Sequence, residues 1–412
     1  MKSLIFLTIL FFGLSWSVES QVNKCYAHVR LERRLRENPV FREKFLQNQK
    51  ENKKEVKNAS IISIPVVVHV LWNTNRQNIS LEQIQSQIDA LNKDFRALNE
   101  DLLPAGHPFK SLVADVQIEF CLAKLDPNGN PSNGITRTFT QVKEWNDDNF
   151  NDLFFTVAGG KDNWDARRYL NVYVIESDGS TLGFASFPDE LEDYPDYDGV
   201  VLHHEVFGTK GTAGTGDYTA NKFGRTATHE VGHWLDLYHI WGDEECGNDF
   251  VADTPPAEGE NYDCEDFPHR AFNDCGAGPN GEMFMNYMDY VDDFCMNMFT
   301  KGQAVRMKAA MNGIRKSILN SSACLLANSV QTVESNLKVN IFPNPSFGQG
   351  VFFEVENSGG PCRIQIFDGR GVEIAVVQSC EANFPNLIPG AYWAMITGNK
   401  DRKSLKFLVI GN

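Results

Sequence analysis

One short stretch, Thr228-His229-Glu230-Val231-Gly232-His233-Trp234-Leu235-Asp236-Leu237-Tyr238-His239, concentrates the chemistry of this chain. On an α-helix, residues four apart stand on one face, so His229 and His233 aim two imidazoles at one point. Glu230, one residue along, reaches a water held at that point. In this arrangement both histidines hold zinc and the glutamate is the general base of a hydrolysis. His239 follows after the helical pattern breaks and supplies a third ligand. Three protein ligands leave a fourth position open, as a catalytic rather than a structural zinc requires. Only 9 of 412 residues are histidine, so three at these spacings beside a glutamate outweigh an ordinary amphipathic helix.

The flanking sequence supplies elements to position that helix. Ile64–Leu71 is β-branched and reads as a strand, as do Val116–Leu122 and Tyr169–Ile175. Ser80, with Gln83 three residues on, starts a helix whose apolar positions are Leu81, Ile84, Ile88, Leu91 and Phe95. Thr300 with Gln303 repeats that start and opens a last helix to about Ile318. Mixed strands and helices with much irregular loop predict an α/β (α+β) domain over residues 59–326. After a polar linker, residues 337–412 alternate short strands with Pro/Gly turns and predict a small all-β sandwich. That part holds no histidine.

The N-terminus has two further textures. Met1-Lys2, an apolar run from Leu4 to Trp16 and small residues before Gln21 read as a signal peptide over 1–20, too short for a membrane span. Residues 21–58 are rich in Arg and Lys, and Leu31, Leu35, Val40 and Phe41 are too sparse there to build a core. This predicts a partly helical basic pro-segment lying on an acidic body. The net charge of −16 excludes a polyanion as main partner, so no nucleic acid is expected. Nine cysteines point to an oxidising, extracellular setting.

The histidine stretch, Gly247-Asn248-Asp249-Phe250-Val251-Ala252-Asp253-Thr254-Pro255 and Asn286-Tyr287-Met288-Asp289-Tyr290 together are similar to the pappalysin group of metzincins, including the ulilysin-like (cytophagalysin) enzymes. The resemblance implies a secreted zinc endopeptidase with Met288 in the turn beneath the metal. It also implies Tyr290 near the zinc as ligand or oxyanion partner. Calcium is implied in the loop after His239, on Asp249 and the Thr254 carbonyl, with Asp253 a further candidate. A preference for a basic residue after the scissile bond is implied as well. Asp292 and Asp293 can read such a residue, whereas Phe294 is a poor stand-in for a carboxylate. One position departs from the pattern: Asp236 stands where metzincins have glycine, at a left-handed turn that costs Asp about 1 kcal/mol. The C-terminal segment resembles the sorting domain of type IX secretion, through Phe342-Pro343-Asn344-Pro345, Asp368-Gly369-Arg370-Gly371, Leu387 with Pro389, Gly390 and Tyr392, and the strand at Lys406-Phe407.

Cys246, Cys264, Cys275 and Cys295 allow three pairings. The resemblance favours Cys246 with Cys275 and Cys264 with Cys295. Cys362 can pair with Cys380, and Cys121 with Cys324. Cys25 is then left over in the basic segment, either as a thiolate occupying the open zinc position or paired with Cys121 or Cys324. The reading is a secreted, soluble zinc endopeptidase acting on proteins or peptides, with type IX machinery as its export partner. The rival is a non-catalytic binding or adhesion protein on a dead protease scaffold, which would not need Glu230.

Overall fold

A computed structural model of the chain describes residues 23–50, 61–273, 275–324, 337–347, 350–368, 372–398 and 402–410. The signal peptide expected at 1–20, the linker and Gly369-Arg370-Gly371 lie outside the described residues. The chain divides into two compact units, one running to Leu326 and the other from Ala327.

In the first unit, the β-branched run Ile62–Trp72 (β2) is buried along almost its whole length. It pairs in parallel with β3 (Ile118–Leu122) through its first half, and with β4 (Ile135–Phe139) through its second. On its other side lies parallel β5 (Leu170–Ile175), followed by β7 (Val200–His203). β6 (Thr181–Ala185) runs antiparallel to β7 and so reverses the direction of the sheet. Strands buried on both faces read as continuous apolar runs, as β2 and β5 do. Helix α3 (Leu81–Phe95) starts at Ser80, whose Oγ accepts from the Gln83 N–H, and buries Ile84, Ile88, Leu91 and Phe95. Helix α5 (Arg225–Trp234) packs against α3, β6 and β7, which places the histidine stretch beside the reversed strand.

The basic segment contributes more core than its sequence suggested. Asn23–Cys25 (β1) adds to β6 in parallel, pairing Asn23 with Thr181 and Cys25 with Gly183. Helices α1 (Ala27–Glu37) and α2 (Pro39–Lys50) bury Leu31, Leu35, Phe41 and Phe45 in the same apolar cluster as the sheet. These side chains were too few to make a core alone, but the body supplies the other half of the surface. Val40 stays exposed. The charges meet acidic partners: Arg34 with buried Glu190, Lys44 with Glu192, and Arg33 with Asp147 at 2.7 Å. Glu190 opens the single turn α4 (Glu190–Asp193). Of these pairs, the two exposed ones, Lys44–Glu192 and Arg33–Asp147, contribute little individually, so the docking rests on the buried aliphatic and aromatic contacts and the buried Arg34–Glu190 pair.

Helix α6 (Lys301–Asn312) begins with a complete capping box between Thr300 and Gln303. It stops at Gly313, short of the Ile318 end expected from sequence, and a separate 3-10 turn covers Lys316–Asn320. Glycine's conformational entropy makes it a poor helix continuer, which accounts for the early stop.

The second unit is a two-sheet sandwich. Antiparallel β8 (Lys338–Phe342), β9 (Val351–Glu356) and β12 (Glu381–Phe384) form one sheet. The other holds β10 (Arg363–Phe367), β11 (Glu373–Val377), β13 (Gly390–Thr397) and β14 (Arg402–Val409). β9 alternates strictly, with Val351, Phe353 and Val355 buried against Ile364, Ile366, Ala394, Ile396 and Phe407. This unit therefore has its own apolar core. Cys362 is bonded to Cys380 within it.

Candidate metal and active site

Helix α5 presents His229 and His233 on one face, and the chain then turns back to deliver His239. The three Nε2 atoms lie 3.1, 3.1 and 3.2 Å apart. Each Nδ1 is engaged elsewhere. His229 Nδ1–H donates to the Tyr287 carbonyl at 2.8 Å, and His233 Nδ1–H to the Leu237 carbonyl at 2.8 Å. His239 Nδ1–H donates to Asp243 Oδ1. With the protons fixed there, three Nε2 lone pairs converge with no hydrogen between them. That contact is repulsive unless a cation lies at its centre, and the spacing is about that of donors around a tetrahedral metal at 2.0–2.1 Å. Burial pushes His229 down to about 3 and His233 well below the usual imidazole range, so both are held neutral, as ligands must be. The donor set fits a divalent metal.

The turn between the second and third histidines shows why Asp236 is there. Its N–H bonds the His233 carbonyl at 2.9 Å, while the Leu237 N–H reaches back to the Gly232 carbonyl at 2.9 Å. This is a Schellman stop with Asp236 at the left-handed position, φ 78°. Its buried carboxylate faces Arg306 Nη2 at 3.1 Å, and Arg306 Nε donates to the Asp236 carbonyl. Replacing Asp236 with glycine removes about 1 kcal/mol of backbone strain. It also breaks a buried ion pair, which typically costs about 3–5 kcal/mol. Asp236→Gly is therefore expected to lower stability by about 2–4 kcal/mol. A denaturation midpoint unchanged or raised would show the Arg306 contact to be idle.

Met288 lies under the helix, fully buried. A Cβ built on Gly232 would sit 2.4 Å from Met288 Sδ, so only glycine lets the turn approach this closely. Gly232→Ala is expected to cost about 1–3 kcal/mol through overpacking and to weaken metal binding, since Tyr287 in the same turn holds His229. An unaltered melting temperature and metal affinity would rule this out.

Glu230 is fully buried, and desolvation raises its carboxyl well above the ordinary range. Its Oε1 has no hydrogen-bond partner, and its Oε2 lies 3.4 Å from Cys25 Sγ. A buried carboxylate left this way favours a nearby positive charge, as does the histidine cluster. Cys25 Sγ and the three imidazoles form one group of candidate ligand atoms, all within 4.8 Å of one another. Cys25 is buried and free, and burial followed by the Glu230 charge pushes its thiol up. Tyr290 Oη donates to the Cys25 carbonyl at 3.3 Å. The other eight cysteines are paired as Cys121–Cys324, Cys246–Cys275, Cys264–Cys295 and Cys362–Cys380.

A narrow cavity beside Glu230 and His229 is lined by Lys24, Tyr290, Asp293 and Met296, among others. Lys24 Nζ is 3.5 Å from Asp292 Oδ1. The Asp293 carboxylate accepts from the Phe223 and Arg225 N–H groups, whereas Phe294 is half exposed. In the loop after His239, Asp249 accepts from Thr254 Oγ1 at 2.7 Å and from the Val251 N–H at 3.0 Å. Asp253 likewise accepts on both oxygens, from Thr300 Oγ1 and the Gly302 N–H at the start of α6.

Several positioning residues escaped the sequence reading. Asp94 on α3 accepts from Thr228 Oγ1 and from Tyr287 Oη, and burial raises it to about 6 against the opposing charge of Arg225. Arg225 makes a two-pronged bond to Asp101 at 2.6 and 2.7 Å. Arg315 is fully buried, paired with Asp198 at 2.8 and 3.1 Å and lying 3.8 Å over the Trp234 ring. Asp243 is desolvated yet held well below the usual range by His239 and His28. Its place four residues after His239 was the one signal available in sequence.

An edge-reversed sheet above a helix carrying two histidines, a third histidine after a Schellman turn and a methionine turn beneath define a metzincin metalloprotease. The Peptidase_M43 profile, described as pregnancy-associated plasma protein-A, matches residues 157–312. An extracellular metalloprotease of Colletotrichum graminicola is 31% identical over 277 residues, covering 66% of this chain and 86% of that protein. Among solved structures, Tannerella forsythia mature mirolysin in complex with a cleaved peptide is 48% identical, with a TM-score of 0.59. That match covers 64% of this chain and 97% of mirolysin. A T. forsythia promirolysin mutant is 44% identical with a TM-score of 0.64, covering 72% of this chain and 97% of its own. The chain belongs to the M43 (pappalysin) family of metzincins, and it is a zinc metalloendopeptidase whose relatives are extracellular.

Proposed function

We propose that His229, His233 and His239 hold the zinc and that Glu230 is the general base of peptide hydrolysis. The observation that carries this is the convergence of three Nε2 lone pairs beside the buried, half-partnered Glu230. Zinc, when bound, polarises the scissile carbonyl and acidifies water. Glu230 takes the proton of the attacking water and passes it to the leaving amine. Tyr290, close enough to bond the Cys25 carbonyl, is placed to bond a substrate carbonyl oxygen at the same spot. Metal content and peptide-library cleavage of the purified protein, with and without chelator, test the reading. Hydrolysis that survives complete metal removal overturns it.

Residues 21–58 act as a pro-segment that keeps the enzyme latent, with Cys25 as ligand in the open metal position. Supporting this, the promirolysin match spans a larger share of this chain than mature mirolysin does. Lys24 beside Asp292 favours a basic residue after the scissile bond. Calcium is proposed on Asp249 and the Thr254 carbonyl, supported by the buried Asp249 carboxylate standing against Thr254. Asp253 is a further candidate donor, since each of its oxygens keeps a lone pair beside the one hydrogen bond it accepts at the start of α6.

Residues 337–412 serve as a sorting domain for type IX secretion and residues 1–20 as a signal peptide, giving a secreted product. Among the described residues no helix is long and apolar enough to cross a membrane. Because the C-terminal unit has its own core, deleting 337–412 is expected to leave the specific activity of the trimmed enzyme within about twofold, while blocking export. Loss of intrinsic activity in the purified truncation would make that unit part of the catalytic fold.

A further inference from the structure

The carboxyl ends of β5 and β7 carry a second cluster of ligand atoms, sharing no residue with the catalytic set. Ile175 and His203 pair in register at those ends, so Glu176, His203, His204 and Glu205 leave the sheet together. Both imidazoles are 1% exposed. His204 Nε2 lies 3.0 Å from Glu176 Oε2. His203 Nε2 lies 3.5 Å from Glu205 Oε2 and 4.0 Å from Glu176 Oε1. These last two separations are long for hydrogen bonds, and His203 Nε2 has no hydrogen-bond partner. A buried ring nitrogen aimed unpaired between two carboxylates calls for an explanation.

We propose that Glu176, His203 and His204, with Glu205 as fourth donor, bind a second divalent transition-metal ion, zinc being the best match to two imidazoles and two carboxylates. Tetrahedral donors at 2.0–2.2 Å stand roughly 3.3 Å apart, and the ligand atoms of Glu176, His203 and His204 already lie within 4.8 Å of one another. The outer contacts are of the kind that orient metal ligands. Gln77 Nε2 donates to Glu176 Oε2 at 2.8 Å, and Thr215 Oγ1 and Arg76 bond Glu205 Oε1. Ser177 Oγ, whose own proton goes to the Thr181 carbonyl, lies 3.2 Å from His203 Nδ1. Accepting the Nδ1 proton there leaves the Nε2 lone pair free. The Ser177 N–H faces the same nitrogen at 3.2 Å. As a fixed donor it puts the metal-free proton on Nε2, facing Glu205, and an ion takes that proton's place when the ring shifts to the Nδ1–H tautomer bonded to Ser177 Oγ. Burial holds His203 near 4, hence neutral. A bound ion would fasten the start of the connection from β7 to α5 to the sheet.

The test is zinc content per chain of the full protein after dialysis against micromolar zinc. Two equivalents are expected. One should remain in Glu176→Gln and in His203→Ala, with peptidase activity retained after the pro-segment is trimmed. One should also remain in the double variant His229→Ala/His233→Ala, with activity lost. Gln77→Ala should weaken the second equivalent about tenfold. If the parent holds one equivalent that Glu176→Gln leaves untouched, the second site is refuted while the catalytic assignment stands. If that single equivalent instead survives His229→Ala/His233→Ala, the catalytic assignment fails. Glu176→Gln preserves volume and guards against a His203→Ala variant that does not fold.

Discussion

Glu230→Ala is expected to lower kcat by about 10²- to 10⁴-fold while the protein still carries its catalytic metal. The three ligands and their bonds to Tyr287, Leu237 and Asp243 do not involve Glu230, so the metal site survives the change. What disappears is the one carboxylate able to hold the proton between water and leaving amine. His233→Ala should by contrast lose most of the metal as well. The pairing of metal analysis with turnover makes the assignment testable. Near-normal kcat in Glu230→Ala, or loss of metal in step with activity, would sink it.

The second large effect concerns latency. In the uncut protein Cys25→Ala is expected to raise activity towards that of the trimmed enzyme, because the sulfur no longer competes for the open metal position. The rise should stop short of full activity, since β1 still pairs with β6 and Leu31, Leu35, Phe41 and Phe45 still anchor the segment. A second readout does not depend on catalysis. With metal bound, Cys25 of the uncut protein should resist alkylation, and chelation should expose it. Rapid alkylation with metal in place, or a variant as inactive as its parent, would leave latency to steric cover alone.

The catalytic constellation was legible because its ligands lie on one continuous string, where helical geometry alone sets their separation. The strand Ile62–Trp72 and the start of α3 at Ser80 were legible for a similar local reason, through β-branching and a capping hydroxyl. The supports were not. Asp198 and Arg315 are 117 residues apart, and nothing near either announces a buried charge pair beneath Trp234. Asp236 was visible as a departure from the metzincin glycine, but its reason lies 70 residues away in Arg306. The apolar side chains of α1 and α2 looked too sparse because half of the surface they complete belongs to the body. Gly313 is an ordinary residue in the sequence, yet it decides where α6 ends.

The parallel pairing of β1 with β6 has a kinetic consequence. A tethered strand occupying the edge of the cleft acts as a competitive inhibitor at an effective concentration roughly in the millimolar range, whatever its intrinsic affinity. Cutting the chain between α2 and β2 leaves the contacts of β1, α1 and α2 described above intact, yet turns a unimolecular re-binding into a bimolecular one. A released peptide diluted to nanomolar levels faces roughly a million-fold lower local concentration than it had as part of the chain. The affinity of the segment therefore needs only to lie between those two concentrations for a single cleavage to take the enzyme from closed to open. Such activation is governed by dilution and volume, and it weakens wherever the secreted enzyme accumulates.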